Sequence, residues 1–328
     1  MKRRLVGGLA VVIGAGVCLL GAGCSRHLAK AGGDATAHEV RDARARVERD
    51  PTAAAWVALG QAYLKQGDER DNDAFIAFRQ ALRLESHNAE ALGGLGEAEL
   101  RLGDAQDALV WADRALAAQA DAAAPLGVRG RARLAEGAAT GAVPDLERAV
   151  NLDPSLLEAR LSLISAYVEL RRTDQALSQA NQIVTRFPKE PRGHYAYAAL
   201  LDARQQWAGA EHEYREGLRL DPSNTAMKLF LALLLFNQHK NYEEVQHLAN
   251  EVDAAAPGDG SAAGLAAWAL FLSGKQDGGM RALLQANHNH PRNLQILRWI
   301  KTGADQTGRP EVAEAATKDI DQLTKRKS

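Results

Sequence analysis

His288-Asn-His290 is the closest the chain comes to a metal motif. Two histidines spaced this way on a helix point to different sides, and no cysteine or carboxylate joins them at ligand spacing. Both stand just before Pro291, at an expected helix end, where histidine suits the negative pole of the helix dipole. The carboxylate pairs Asp104–Asp107 and Glu211–Glu213 fall on faces expected to be solvated, and Glu243-Glu244 in a surface turn. Val11-Val-Ile-Gly14-Ala-Gly16 opens like a dinucleotide-binding turn, but Leu19 stands where the third glycine belongs and no strand–helix alternation follows. No phosphate-binding loop occurs, and no serine or histidine has a triad context. The two cysteines, Cys18 and Cys24, lie together near the start, so the rest of the chain has no thiol for a disulfide, a zinc site or a nucleophile. The residues with chemical capacity do not converge, and the expectation is a protein that is not an enzyme and binds no metal.

The elements that carry these residues follow a strict period. Pro154, Pro188 and Pro222 stand 34 residues apart, each after a run with helical periodicity. Twelve residues before each is an alanine: Ala142, Ala176 and Ala210. A proline cannot continue a helix, because it lacks the N–H and clashes with the preceding turn. A fixed period of this size with a small residue inside and a proline at the end marks a helix–turn–helix repeat. No such hairpin can bury its apolar face alone, so neighbours must stack.

The most explicit copy lies upstream, where Trp56-x-x-Leu59-Gly60-x-x-Tyr63 is followed by Ala74-x-x-x-Phe78 and Ala81, with Glu69 and Arg70 as a two-residue insertion. This resembles the tetratricopeptide repeat. Further copies run through Leu92, Leu95-Gly96, Ala108 and Ala115, then through Leu231, Leu235, Val245 and Pro257, then through Leu270, Gly274, Leu283 and Pro291. A weaker eighth copy runs from Leu294 through Ile300, Gly308, Ala313 and Ile320. The resemblance implies an all-α, right-handed superhelical solenoid of stacked hairpins. Small residues at Gly60, Ala198 and Ala232 and at Ala74, Ala108, Ala142 and Ala176 let paired helices approach. Leu59, Tyr63, Leu163, Tyr167 and Tyr197 fill the space between them, and Lys228 is expected outside.

Met1 to Cys24 has a different character. Lys2, Arg3 and Arg4 precede an apolar run from Leu5 to Leu20, which is secretory-signal anatomy, too short for a comfortable membrane-spanning helix. An uncleaved signal anchor is the alternative. Leu20-Gly-Ala-Gly-Cys24 resembles a bacterial lipobox, which implies cleavage before Cys24 and a covalent lipid on its sulfur. Removing residues 1–23 shifts the formal net charge from −1 to −4, so no basic field invites nucleic acid. The expected organisation is a signal peptide over 1–23, a tether over 24–37 and an N-terminal capping helix over 38–52. Seven repeats follow over 53–293, then a degenerate eighth, a closing helix (Pro310 to Leu323) and a basic tail over 294–328.

In the repeat family the first helix of each hairpin lines the concave side. One place on that helix reads Gln61, Glu97, Arg131, Ser165, Ala199, Leu233 and Trp268, passing from polar to apolar. Phe230 and Phe236, then Leu265 and Phe271, flank it in the last two of these copies. Phe230, Leu233, Phe236, Leu265, Trp268 and Phe271 are therefore the candidate partner groove, and Gln61, Glu97 and Arg131 its polar part. The competing expectation is that the closing helix folds back over the patch. Some family members grip a partner's C-terminal carboxylate with lysine and asparagine. Here the corresponding places hold Val57, Gln61, Gly94, Ala124 and Val128, and the clamp is absent. The expected role is a lipid-anchored, periplasm-facing scaffold, most simply at the outer membrane, that binds other envelope proteins. The pilus, secretion, exopolysaccharide and outer-membrane assembly machines are its candidate settings. The alternatives are an adaptor for a peptidoglycan hydrolase or protease and, less favoured, a carbohydrate binder or enzyme.

Overall fold

Two helices lie close together only where one of them offers nothing thicker than a methyl group, and this chain supplies such places at a fixed pitch. Ala74, Ala108, Ala142, Ala176 and Ala210 are all completely buried. At Gly60 even a methyl is too much, since a Cβ there would stand 2.7 Å from the Phe78 ring.

The computed structural model describes residues 33–325; the signal segment, Cys18 and Cys24 lie outside the described residues. Seventeen α-helices and no strand occur among the described residues, and none of these helices is long and apolar enough to cross a membrane. They form two compact units divided after Pro188.

In the first unit, α1 (Gly33–Arg49) packs on the hairpin α2 (Ala53–Gln66)/α3 (Asp71–Leu84) through Val40 and Ala43. Three hairpins follow: α4 (Ala89–Leu102)/α5 (Ala105–Ala118), α6 (Ala123–Ala135)/α7 (Ala139–Leu152) and α8 (Leu157–Glu169)/α9 (Thr173–Arg186). The second unit has four: α10 (Pro191–Ala203)/α11 (Trp207–Leu220), α12 (Thr225–Asn237)/α13 (Tyr242–Ala255), α14 (Ser261–Leu272)/α15 (Gln276–Asn289) and α16 (Leu294–Gln306)/α17 (Pro310–Lys325). Within the first unit α2 approaches α4, α4 approaches α6 and α6 approaches α8, and the second helices do not approach one another comparably. In the second unit α10 approaches α12 and α14 approaches α16. The first helices therefore line the inner side of each stack.

Pro154, Pro188, Pro222, Pro257 and Pro291 all fall between helices. Side-chain oxygens of Asn88, Asn224 and Asn293 then cap the next helix, accepting from backbone N–H groups that the first turn leaves orphaned. Inside the hairpins the turn needs one left-handed residue. Gly103, Gly137, Gly274 and Gly308 supply it, but Arg171, Gln205 and His239 adopt it too, at φ 56°, 59° and 56°. For a residue with a Cβ that conformation costs on the order of 1 kcal/mol.

Two expected boundaries differ. The first helix starts at Gly33, not His38, because the alanines at 35 and 37 favour helix. The segment expected as a closing helix is the second helix of the eighth hairpin: Ala313 and Ala316 pack with Ile296, Ile300 and Ala304 of α16.

Candidate functional site

The second unit's inner side begins with α12. One face of this helix, Met227, Leu231, Leu234 and Leu235, is buried in the stack. Leu229, Leu233 and Phe236 lie on another face and stay half-buried. Phe230 is turned into the neighbouring hairpin, 5.7 Å from the Tyr195 ring and stacked on Tyr214 at 6.3 Å. Phe236 meets Tyr242 and Trp299 edge-on, each at 6.3 Å between ring centroids.

The next repeat does not continue this surface. Leu265, Trp268 and Phe271, expected to face a groove, are 1, 6 and 2% exposed and belong to the core. The Trp268 ring stacks on Phe271 at 4.8 Å and on Trp299 at 6.3 Å. Neither expectation for this patch holds there, because the cover is α16 and not the segment Pro310 to Leu323. Gly264 allows Trp299 to lie over α14, where a Cβ would stand 3.1 Å from the indole. Gly303 lets α16 settle against Phe271 and Trp268 in the same way. The cause is α14 itself, which carries no polar side chain from Ala262 to Leu272 and so must be covered on every side.

What remains is a smaller half-exposed surface made by Leu233, Phe236 and Trp299. Trp299 was not among the expected residues, although it continues the register of Phe230 and Leu265 by one further repeat. A second unexpected residue is Asp202. It stands on α10 in the register place of Phe236, half-buried, and has no ion-pair partner among the described residues. Burial alone pushes its carboxyl above the ordinary range. Burial, with the Asp202 charge adding to it, likewise pushes the Tyr214 hydroxyl well up.

In the first unit, Gln61 is exposed, whereas Glu97 and Arg131 neutralise each other at 2.6 Å and are only 17 and 18% exposed. Arg101 donates to Glu97 at 2.9 Å and to the Leu64 carbonyl at 2.8 Å, extending the network across three repeats. The polar part of the expected groove is thus largely internally paired.

The other chemical candidates have structural roles. Asp104 caps α5 by accepting from the Asp107 N–H at 3.0 Å. Glu211 pairs with Arg215 at 3.0 Å. Glu213 is not on a solvated face but receives His194 at 2.7 Å, because α10 presents that ring between the helices of its hairpin. Lys228 is likewise not free, reaching Glu251 at 3.1 Å, and Tyr197 is half-buried where full burial was expected. His290 packs against Gly260 and His288 is exposed; no cluster of three or more metal-ligating side chains occurs among the described residues. A cavity of about 420 Å³ beside Asp259, His290 and Arg292 has Asn293 already donating to the Asp259 carbonyl at 3.0 Å.

Comparison with known proteins agrees with the repeat geometry. Models of the tetratricopeptide repeat match residues 76–125 and 133–200. A curated relative, the cellulose synthase 1 operon protein C of Komagataeibacter xylinus, is 27% identical over 203 residues, which is 60% of this chain and 13% of that protein. The chain therefore spans a small part of that relative's length. Among solved structures, that of pilF from Pseudomonas aeruginosa is similar with a TM-score of 0.57 and 19% identity, covering 64% of this chain and 95% of that one. The APC/C hetero-tetramer Cut9-Hcn1 gives a TM-score of 0.63 at 16% identity, over 74% of this chain and 47% of the other. The matched residues are tetratricopeptide repeats, and the pitch and hairpin geometry of the other described helices agree with them.

Proposed function

We propose that this protein is a non-catalytic scaffold, lipid-anchored through Cys24 in a bacterial envelope, whose second unit docks other envelope proteins on its inner side. Repeats of this family generally hold proteins together and do not catalyse reactions. The observation that carries the reading is the half-exposed surface of Leu233, Phe236 and Trp299. Aromatic residues on such a surface are the usual anchors of an interface. The signal-like segment and lipobox-like end at Cys24 support the envelope setting, and the name of the distant relative, from a cellulose synthase operon, is in keeping with it. An assembly or export machine of the envelope is the setting this favours.

The test is a photo-crosslinking amino acid placed at Phe236 in living cells. The expected result is a discrete crosslink to an envelope protein that Leu233→Asp abolishes. A crosslinking pattern no different from that of the same probe at exposed Glu243 overturns the reading.

A further inference from the structure

In the second unit the twelfth place of the first helices holds Asp202, Phe236, Leu272 and Asp305. Of the two acids, Asp305 is paired with Lys301 on its own helix. Asp202 stands on α10, with Phe236 at the same place on α12, which α10 approaches. The carboxylate is half-buried, and no lysine, arginine or histidine pairs with it among the described residues. Three other acids of this unit are compensated: Glu190 by Arg192 at 2.8 Å, Glu211 by Arg215, and Asp305 by Lys301 at 2.8 Å. Behind Asp202 stands the Tyr214 hydroxyl, fully buried and without a hydrogen-bond partner among the described residues, so the protein interior offers the carboxylate no positive charge.

An uncompensated carboxylate beside an apolar surface sets the chemistry of whatever covers it. A partner that buried Asp202 with apolar atoms alone would strand a charge. One that brings a cation gains the ion pair and the apolar contact together, and discriminates against neutral and acidic competitors. We infer that the inner side of the second unit takes an apolar segment carrying a lysine or arginine. The cation sits on Asp202, and apolar side chains sit on Leu233, Phe236 and Trp299. Packed helices lie on the order of 10 Å apart. An extended chain covers that distance in about three residues, so the basic residue and the first apolar anchor of an extended partner are about three positions apart. This rests on the docking-surface reading above and specifies the partner that surface selects.

The test uses three fluorescein-labelled peptides of leucine and alanine, identical except for lysine, glutamine or glutamate at the polar positions. Binding is measured by anisotropy to the parent, Asp202→Asn, Phe236→Ala and Glu243→Gln. Glu243 is exposed on α13, so Glu243→Gln reproduces the change in net charge away from the site. The expected result is a lysine-over-glutamine preference of about tenfold or more, equivalent to about 1.4 kcal/mol. It is retained in Glu243→Gln and lost in Asp202→Asn, which still binds the glutamine peptide as the parent does. If Asp202→Asn keeps the lysine preference while Phe236→Ala abolishes binding, the inference is overturned and the docking surface stands. If no peptide binds the parent, or Phe236→Ala binds all three undiminished, the docking surface falls and the inference with it.

Discussion

Glu97 and Arg131 stand 34 residues apart, at the same place in consecutive repeats, and their side chains meet at 2.6 Å. The repeat period is thus bridged by a single ion pair, less than one fifth exposed at either end. Because Glu97 also receives Arg101, removing it takes a partner from two guanidinium groups, of which Arg101 keeps the Leu64 carbonyl. Glu97→Ala is expected to cost about 1.5–3 kcal/mol, the range for a hydrogen bond to a charged group. A double-mutant cycle with Arg131→Ala, read by urea unfolding, should return a coupling of about 0.5–3 kcal/mol. Strict additivity would mean the pair contributes nothing to the stacking of α4 on α6.

Leu163 is completely buried, so Leu163→Ala is expected to cost about 2–5 kcal/mol. Tyr197→Ala should cost clearly less, because its ring is only half covered. Equal losses on thermal unfolding would contradict the full burial of Leu163 and the half-burial of Tyr197.

Trp268→Ala is expected to destabilise the second unit by about 3–5 kcal/mol, as loss of a buried aromatic does. A variant that melts like the parent would place Trp268 on the surface after all. Phe236→Ala, at a half-buried ring, is the milder substitution and the better probe of binding.

Asp202 gives a pH dependence of defined sign. Burial raises its carboxyl pKa in the folded protein, so the folded state holds this proton more tightly than the unfolded chain does. The associated stability is full below the unfolded value of about 3.9 and is lost as pH rises through the raised folded value. Asp202→Asn is therefore expected to melt higher than the parent at neutral pH, with the gain shrinking as the pH falls toward about 4. A gain that is constant with pH would mean that the charge is not the cause.

Cys24→Ser is expected to stop incorporation of labelled palmitate and to release the protein from the detergent phase. Acyl chains contribute about 0.8 kcal/mol per buried CH₂, and a single chain holds only marginally, so full release marks loss of the whole anchor. Unchanged labelling would remove the lipid from the proposed function.

The sequence spoke clearly wherever one physical requirement acts alone. Ala142 and Ala176 must be small for two helices to touch, and Pro154 and Pro188 must interrupt a helix; both requirements are visible at a fixed spacing. The inner surface was less legible because exposure there depends on what the next repeat brings. Trp268 and Phe271 have the pattern of a groove, and only α16, with Trp299 and Gly303, turns them into core. Lys228 and Glu213 misled in the opposite way. A lysine or glutamate on a helix surface is normally solvated, but here Glu251 and His194 stand opposite them. Asp202 is silent in the sequence because a lone acid carries no motif, and its significance appears only once its half-burial and its missing counter-charge are known.

The left-handed turns at Arg171, Gln205 and His239 also mark where this chain has stability in reserve. Repeats before and after them fill the same place with glycine, at Gly103, Gly137, Gly274 and Gly308. Glycine adopts this conformation without the Cβ penalty. The three middle hairpins therefore hold their turns against a local cost that their packing must offset.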